Sequence, residues 1–281
     1  MEDQSSADCT VITKIYGTLS EHGIQWICQD DMLPRDAIPT FSNYVVEQFL
    51  HLIPGLSDHF IHMNDDYMID RPTEPIDFFT ENGGTRFYFD RAFISPNVKT
   101  TGGSGWLQSL WATLGLLQDQ YAHDNGTSTT RYRYLKHAPY VYHREAFFNM
   151  HQRFHDALSE TRRHRFRTPG DILWPYLYYG FVVNEGPQCC ALDFEFVQDG
   201  PGKAFLMMWS TDMELNVQAT KNLNAREPLF LTINDDMGID DQEAIDAAHN
   251  ALTGFYEQRY GHLAGIFEKH EGTKQHLHLE K

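Results

Sequence analysis

The sequence predicts an α/β fold on three observations. Two short apolar runs of strand character, Phe60-Ile61-His62-Met63 and Leu229-Phe230-Leu231-Thr232-Ile233, each empty into Asn-Asp-Asp. Between and after them lie segments whose apolar residues recur at helical spacing. With 281 residues, 41% hydrophobic and 14% aromatic, the chain can bury a sheet under those helices, as one large domain or two small ones.

The elements follow in order. Residues 1–37 are polar and weakly patterned, with a strand expected at Ile24-Gln25-Trp26-Ile27-Cys28. Ser42 can cap a helix that carries Val45, Val46, Phe49, Leu50 and Ile53 inward and stops at Pro54-Gly55. The first strand then enters Asn64-Asp65-Asp66. The glycine-rich stretch Thr100 to Gly105 leads into a helix with Leu107, Leu110, Trp111, Leu114 and Leu117 on one side. Arg144 to Arg163 reads as one amphipathic helix through Phe147, His151, Phe154 and Leu158. Strands at Ala191–Val197 and Ala204–Trp209 flank the turn Asp199-Gly200-Pro201-Gly202. After Asn234-Asp235-Asp236, Asp240 and Glu243 stand at capping-box spacing before a helix that buries Ile245, Ala248, Leu252 and Phe255. Residues 269–281 are a polar tail.

Charge excludes some functions and suggests another. Acidic residues outnumber basic ones 39 to 22, a balance that repels a phosphate backbone and argues against nucleic acid as a partner. No apolar run reaches membrane-spanning length, and the first residues lack the pattern of a signal peptide. Yet from Arg131 to Arg167 nine Lys and Arg face three acids, leaving 13 basic against 36 acidic residues elsewhere. Such an island is either a solvated helix face or a seat for a small anion, whose oxygens guanidinium forks match in pairs. Cys9, Cys28, Cys189 and Cys190 show no metal-type spacing and imply no disulfide framework; the vicinal pair reads as structural. Asn125-Gly126-Thr127 fits a glycosylation acceptor, and His276-Leu277-His278 is a weak metal signal in the tail. Neither a P-loop nor a GxSxG elbow is present.

The chemistry concentrates in three places. If the two strands that end in Asn-Asp-Asp neighbour each other in one sheet, up to four carboxylates meet at its edge, where α/β sheets bind ligands. Crowded carboxylates repel unless a hard cation such as Mg²⁺ or Mn²⁺ sits among them, although Asn and Asp also simply favour turns. His137, in Lys136-His137-Ala138-Pro139, has the side chain suited to taking a proton near neutral pH. Arg163-His164-Arg165-Phe166-Arg167 sets several cations before Pro169-Gly170, where a helix C-terminus would equally favour them.

At these residues the sequence resembles the Stealth family, which includes bacterial capsular polysaccharide phosphotransferases and the catalytic subunit of the animal lysosomal-enzyme N-acetylglucosamine-1-phosphotransferase. Ile38-Pro39-Thr40-Phe41-Ser42-Asn43, Glu47, Leu50 to Ser57, Phe60 and Asn64-Asp65-Asp66 are similar to its second conserved region. Lys136 to Pro139 with Arg144, then Arg165-Phe166-Arg167, Asp171 and Tyr178-Tyr179, are similar to its third. Asn234-Asp235-Asp236 with Phe255-Tyr256 is similar to its fourth, with Gly261 to Gly265 in place of a proline-rich ending. The likeness covers about residues 30–268 and places a phosphotransferase domain at 38–268, with a helical insertion at about 75–185.

The resemblance implies a GT-A-like, metal-dependent nucleotide-sugar transferase architecture. The implied reaction moves a sugar-1-phosphate, such as N-acetylglucosamine-1-phosphate, from a UDP-sugar to a glycan hydroxyl, leaving a phosphodiester and a nucleoside monophosphate. Phosphoryl transfer needs neutralised charge more than covalent help. Asp65, Asp66 and Asp235 are therefore expected on Mg²⁺ or Mn²⁺. Arg144, Arg167, Glu47, His51, Asn64 and Asn234 are expected on substrate and phosphate. His137 is the expected base for the acceptor hydroxyl, with Asp66 as the other candidate. The family's first conserved region has no counterpart before Ile38, which implies that half of the nucleotide-binding sheet is missing. A fragment, a mis-started product, a component completed by a second copy or another polypeptide, and a relative that binds nucleotide sugar or glycan without turnover are the alternatives. A metal-dependent phosphodiesterase acting on water is another. The implied compartment is the cytoplasm for a bacterial chain and the Golgi lumen for a eukaryotic fragment.

Overall fold

The computed structural model describes residue 25 and residues 27–94, 104–121, 132–198, 203–238 and 241–261. Asn125-Gly126-Thr127, the Asp199 to Gly202 turn, Asp240, Cys9, His276-Leu277-His278 and most of the glycine-rich stretch lie outside them. So do Ile24 and Trp26, while Ile27 and Cys28 are irregular and lead into helix α1, Gln29–Met32, rather than forming a strand. The chain divides into two compact units, one comprising residues 27–208 and 214–235 of the described chain and the other residues 209–213 and 236–261.

In the larger unit, the helix expected after Ser42 is tighter than its spacing suggested. It is α-helical only over α2, Asn43–Val46, and continues as a 3-10 helix over Glu47–Leu52. Ser42 occupies the N-cap position but makes no capping bond. The 3-10 rise shifts the side-chain period toward three, and it turns Glu47, Gln48, Phe49 and His51 all inward.

The strands pair differently from the simplest expectation. Strand β1, His59–His62, pairs antiparallel with β5, Tyr140–His143, not with the strand before Asn234. That strand, β8, Phe230–Asp236, lies between β2, Tyr67–Ile69, and β7, Ala204–Ser210. The two Asn-Asp-Asp triplets therefore do not end neighbouring strands. They approach because the chain turns at residues 64–66 and enters β2, where Tyr67 faces Thr232 and Ile233 N–H donates to Asp66 O at 3.3 Å. Asn234-Asp235-Asp236 is itself strand rather than turn. A third sheet runs β4, Arg133–Leu135, then β3, Thr85–Phe93, then β6, Phe194–Gln198, with β3 and β6 parallel. The region expected as a helical insertion thus also carries β3, β4 and β5.

Its helices are α3, Gly105–Tyr121, α4, Arg144–Arg153, α5, His155–Arg162, and α6, Trp174–Cys190. The single helix expected from Arg144 to Arg163 breaks at Phe154, whose ψ of 28° departs from helical values. From Trp174 to Val182 helix α6 is buried on nearly every side, packed against α3, α4 and the aromatic residues of β3. Gly180 permits the α3 approach: a Cβ there would overlap the Leu117 side chain. Ala191 ends α6 in the left-handed region, so β6 begins at Phe194, later than the run from Ala191 suggested. Cys189 and Cys190, expected as a structural pair with no disulfide framework implied, are joined to each other as a vicinal disulfide, and Cys28 is disulfide-bonded as well. Helix α7, Met213–Arg226, precedes β8.

In the smaller unit, α8, Gln242–Tyr260, starts one residue later than the expected box, with Asp241 accepting from Ala244 N–H at 3.1 Å. Trp209 donates its indole N–H to Ala248 O and packs on Phe255. Among the described residues no helix is long and apolar enough to cross a membrane.

Candidate functional site

A cavity of about 250 Å³ collects much of the expected chemistry in the larger unit. The α2 and 3-10 segment supplies Asn43, Tyr44 and Glu47. The turn before β2 supplies Asn64, the β4–β5 connection supplies His137, the loop after α5 supplies Arg167, and β8 supplies Asn234. Tyr67, Tyr140, Tyr176 and Trp106 join Tyr44 in the aromatic part of the wall. This volume lies below the usual range for a drug-sized ligand and suits a sugar-phosphate better than an entire nucleotide sugar.

Glu47 is the carboxyl of the cavity wall. Burial pushes its carboxyl up to about 8, against an opposing bond from Asn43 and the Arg167 charge. Asn43 donates to Oε1 at 3.3 Å, while Oε2 has no partner. Near neutral pH Glu47 is therefore a neutral acid with a proton to donate, and it adds no negative charge that would repel an anion. Arg167 lies 5.8 Å from the centre of the Tyr44 ring, and its charge opposes the burial that raises the pKa of the Tyr44 hydroxyl.

His137 is held by its backbone: Thr232 Oγ1 donates to its carbonyl at 3.0 Å, tying the β4–β5 connection to β8. Its Nδ1 is buried without a partner. Burial lowers its pKa and the Asp66 charge partly restores it, so the ring is neutral and basic near pH 7. Asp66, half-buried, has its pKa raised by burial, opposed by its own backbone N–H and by His137.

The remaining expected residues divide. Asp65 and Asp235 are exposed, and neither they nor Asp66 line the cavity. Among the described residues no group of three or more His, Cys, Asp and Glu is placed to hold a metal ion. A Mg²⁺ that arrives with substrate phosphates needs only one or two carboxylates. The turn offers Asp65 and Asp66 for this, and Asn234 Oδ1, buried without a partner, is a spare oxygen at the cavity.

Arg144 and His51 lie elsewhere. Arg144 donates to the carbonyls of His51 at 3.2 Å and Leu56 at 3.1 Å, clamping residues 51–56 to the start of α4. His51 is buried against Phe147, Phe148 and His151, and burial lowers its pKa to about 4. Tyr44, Tyr140 and Trp106 went unselected in the sequence. Only the adjacency of Tyr44 to the Asn43 and Glu47 motif could have pointed to any of them.

The second conserved region of Stealth proteins matches residues 15–87, starting upstream of Ile38, and the third matches residues 136–184. The chain is 29% identical over 170 residues to a capsular polysaccharide phosphotransferase of Neisseria meningitidis serogroup A, covering 60% of the chain and 30% of the relative. It is 33% identical over 156 residues to an exopolysaccharide phosphotransferase of Streptomyces coelicolor, covering 53% and 25%. A Nocardia farcinica exopolysaccharide phosphotransferase is 32% identical over 158 residues, covering 56% and 30%. These alignments take in between a quarter and a third of each relative's length. The chain thus carries the second and third conserved regions of Stealth proteins in order, and residues of both line one cavity.

Proposed function

We propose that this chain carries the reaction centre of a polysaccharide phosphotransferase that moves a sugar-1-phosphate from a UDP-sugar to a glycan hydroxyl. The reading rests on one observation above all: His137, kept neutral by burial, Arg167 and a protonated Glu47 line one cavity of sugar-phosphate size. The names of the relatives support the same class of reaction.

In this mechanism His137 takes the proton of the acceptor hydroxyl as its oxygen bonds to the phosphorus that bears the sugar. The bridging P–O bond to the nucleotide breaks, and nucleoside monophosphate leaves with that electron pair. Arg167 neutralises phosphate oxygens, and Glu47 donates a hydrogen bond without opposing their charge. Asn64 and Asn234 offer amide groups to sugar hydroxyls. Asp66 keeps His137 basic, and it is the alternative base. A Mg²⁺ or Mn²⁺ ion, held by Asp65 and Asp66 with Asn234 and Asp235 as further oxygen donors, would neutralise diphosphate charge when bound.

The test is calorimetric titration of UDP-N-acetylglucosamine with and without Mg²⁺ into the chain and into Asp66→Ala, beside an assay of transfer to a glycan acceptor. Metal-dependent binding that is lost in the variant, with transfer, is the expected result. Binding without transfer would support a module that holds nucleotide sugar without turnover, and release of sugar phosphate to water alone would make it a phosphodiesterase.

A further inference from the structure

Trp106 is a large apolar side chain that the core does not use. The buried side of α3 runs through Leu110, Leu114 and Leu117, and Leu107 and Trp111 pack against the same core. Trp106 falls off that side and is 38% exposed, yet it lines the cavity. A single exposed tryptophan is ordinary, but one set in a cavity wall among charged and amide groups is an anchor for a ligand. Its helix is fixed in place. Ser109 Oγ donates to Thr168 O at 3.4 Å, and Leu173 N–H donates to Thr113 Oγ1 at 2.9 Å. These bonds tie α3 to the loop that carries Arg167 and to the residue before α6.

The indole meets a second ring of the wall. Trp106 and Tyr176 stand edge to face at 6.2 Å with planes 72° apart, and the Tyr176 hydroxyl is itself held by Leu135 N–H at 3.1 Å. The same cavity contains two buried oxygens without a partner, Glu47 Oε2 and Asn234 Oδ1. The protonated Glu47 carboxyl can donate, and the Asn234 oxygen can only accept. Buried polar atoms left unpaired are costly, so a ligand that satisfies both gains what the empty cavity forgoes. An apolar platform together with an unused donor and an unused acceptor describes a pyranose. Its C–H face meets the negative face of the indole, and its hydroxyls, which donate and accept alike, meet Glu47 and Asn234.

We propose that Trp106 seats the sugar ring of the transferred sugar-1-phosphate, with its indole stacked on the C–H face of the pyranose. This role rests on the transferase reading and adds the residue that determines which donors fit. Trp106 takes no proton and forms no bond. It fixes where the sugar lies, and so where the attached phosphate meets Arg167 and His137. Those two residues stand in the stretch that matches the third conserved region, residues 136–184, whereas Trp106 lies between that stretch and the one at residues 15–87. Phosphate handling and sugar choice thus come from separate segments of the chain that meet at one cavity. A ligand without a sugar leaves the indole face empty, so the contact strengthens the binding of sugar-bearing ligands alone.

The experiment measures binding rather than turnover. UDP, UDP-N-acetylglucosamine and N-acetylglucosamine-1-phosphate are each titrated, with Mg²⁺, into the wild type, Trp106→Ala and Trp106→Phe. Trp106→Ala should bind both sugar-bearing ligands at least about tenfold more weakly and UDP as the wild type does, while Trp106→Phe, which keeps an aromatic face, should stay within about threefold of wild type for all three. Unchanged affinity for the sugar-bearing ligands in Trp106→Ala overturns the assignment and leaves the transferase reading standing. An equal fall for UDP and UDP-N-acetylglucosamine also overturns it, by giving the indole to the nucleobase. So does a Trp106→Phe variant as weak as Trp106→Ala, since stacking is then not what the residue supplies. No binding of any ligand by the wild type overturns the assignment together with the transferase reading. Wild-type binding of the sugar phosphate but of neither UDP ligand, lost in Trp106→Ala, supports the platform and counts against the UDP-sugar donor alone. Because the ring lies outside the core, Trp106→Ala should melt as the wild type does, which circular dichroism checks.

Discussion

Arg144 with His51 and Arg167 with His137 are the same two side-chain types in one chain, and they serve opposite purposes. Arg144 spends its guanidinium donors on the carbonyls of His51 and Leu56, and His51 is packed among Phe147, Phe148 and His151. Arg167 rests on the Tyr44 ring at the cavity, and His137 lines that cavity; both histidines have Nδ1 buried without a partner, so it is the surroundings that separate them. A guanidinium that ends on backbone carbonyls is part of the fold, because removing it strands buried acceptors. One that ends on a ring at a cavity wall is available to a ligand. Sequence motif alone does not separate the two, since Arg144 and Arg167 both belong to the third conserved region.

The largest effect that would sharpen this contrast is on catalysis. His137→Ala should lower transfer to glycan by at least about a hundredfold while leaving the melting temperature nearly unchanged, since its ring makes no side-chain hydrogen bond in the described structure. A variant that transfers at the wild-type rate removes His137 as base and promotes Asp66. Next comes Arg144→Ala, which should cost about 2–4 kcal/mol in urea unfolding, because two charge-assisted bonds to carbonyls are lost. Wild-type stability there would break the comparison on its structural side.

Two pH effects of smaller size run in opposite directions. Glu47 has its carboxyl raised to about 8, so between about 4.5 and about 8 the native state holds a proton that the unfolded chain has released. Stability then falls as pH rises through that window, and Glu47→Gln should flatten the decline measured by chemical unfolding at pH 5, 6.5 and 8. His51, lowered to about 4, does the reverse: between about 4 and 6.5 the unfolded chain binds a proton that the native state does not. Stability falls as pH drops through that range, and His51→Leu should lessen the loss. If Glu47→Gln changes the acid limb and His51→Leu the alkaline one, the two environments have been assigned the wrong way round.

Legibility in the sequence followed the same division. Helix α3 could be read from periodicity, because one face packs and the other does not. Helix α8 was legible as a helix, but of the face expected to be buried, Ile245, Ala248, Leu252 and Phe255, only Ala248 is buried and the rest are half-exposed. Strand pairing was not legible. Both Asn-Asp-Asp triplets were visible, but nothing local says that β1 pairs with β5 while β2 carries the first triplet to β8. The break at Phe154 was equally hidden, since apolar spacing continues across it. Of the site, His137, Glu47, Arg167, Asn64 and Asn234 were legible as residue types in ordered motifs, and they line one cavity. Arg144 and His51 carried the same kind of signal, and only the carbonyls and rings around them reveal what they do. Trp106 was invisible, because the cavity that gives it meaning is built from segments far apart in sequence.

The most direct test of the contrast is to titrate UDP-N-acetylglucosamine, with Mg²⁺, into wild type, Arg167→Ala and Arg144→Ala under conditions where all three are folded. Arg167→Ala should bind at least about tenfold more weakly with unchanged stability, while Arg144→Ala should bind as the wild type does and unfold more readily. Donor binding lost in Arg144→Ala and retained in Arg167→Ala would contradict the account.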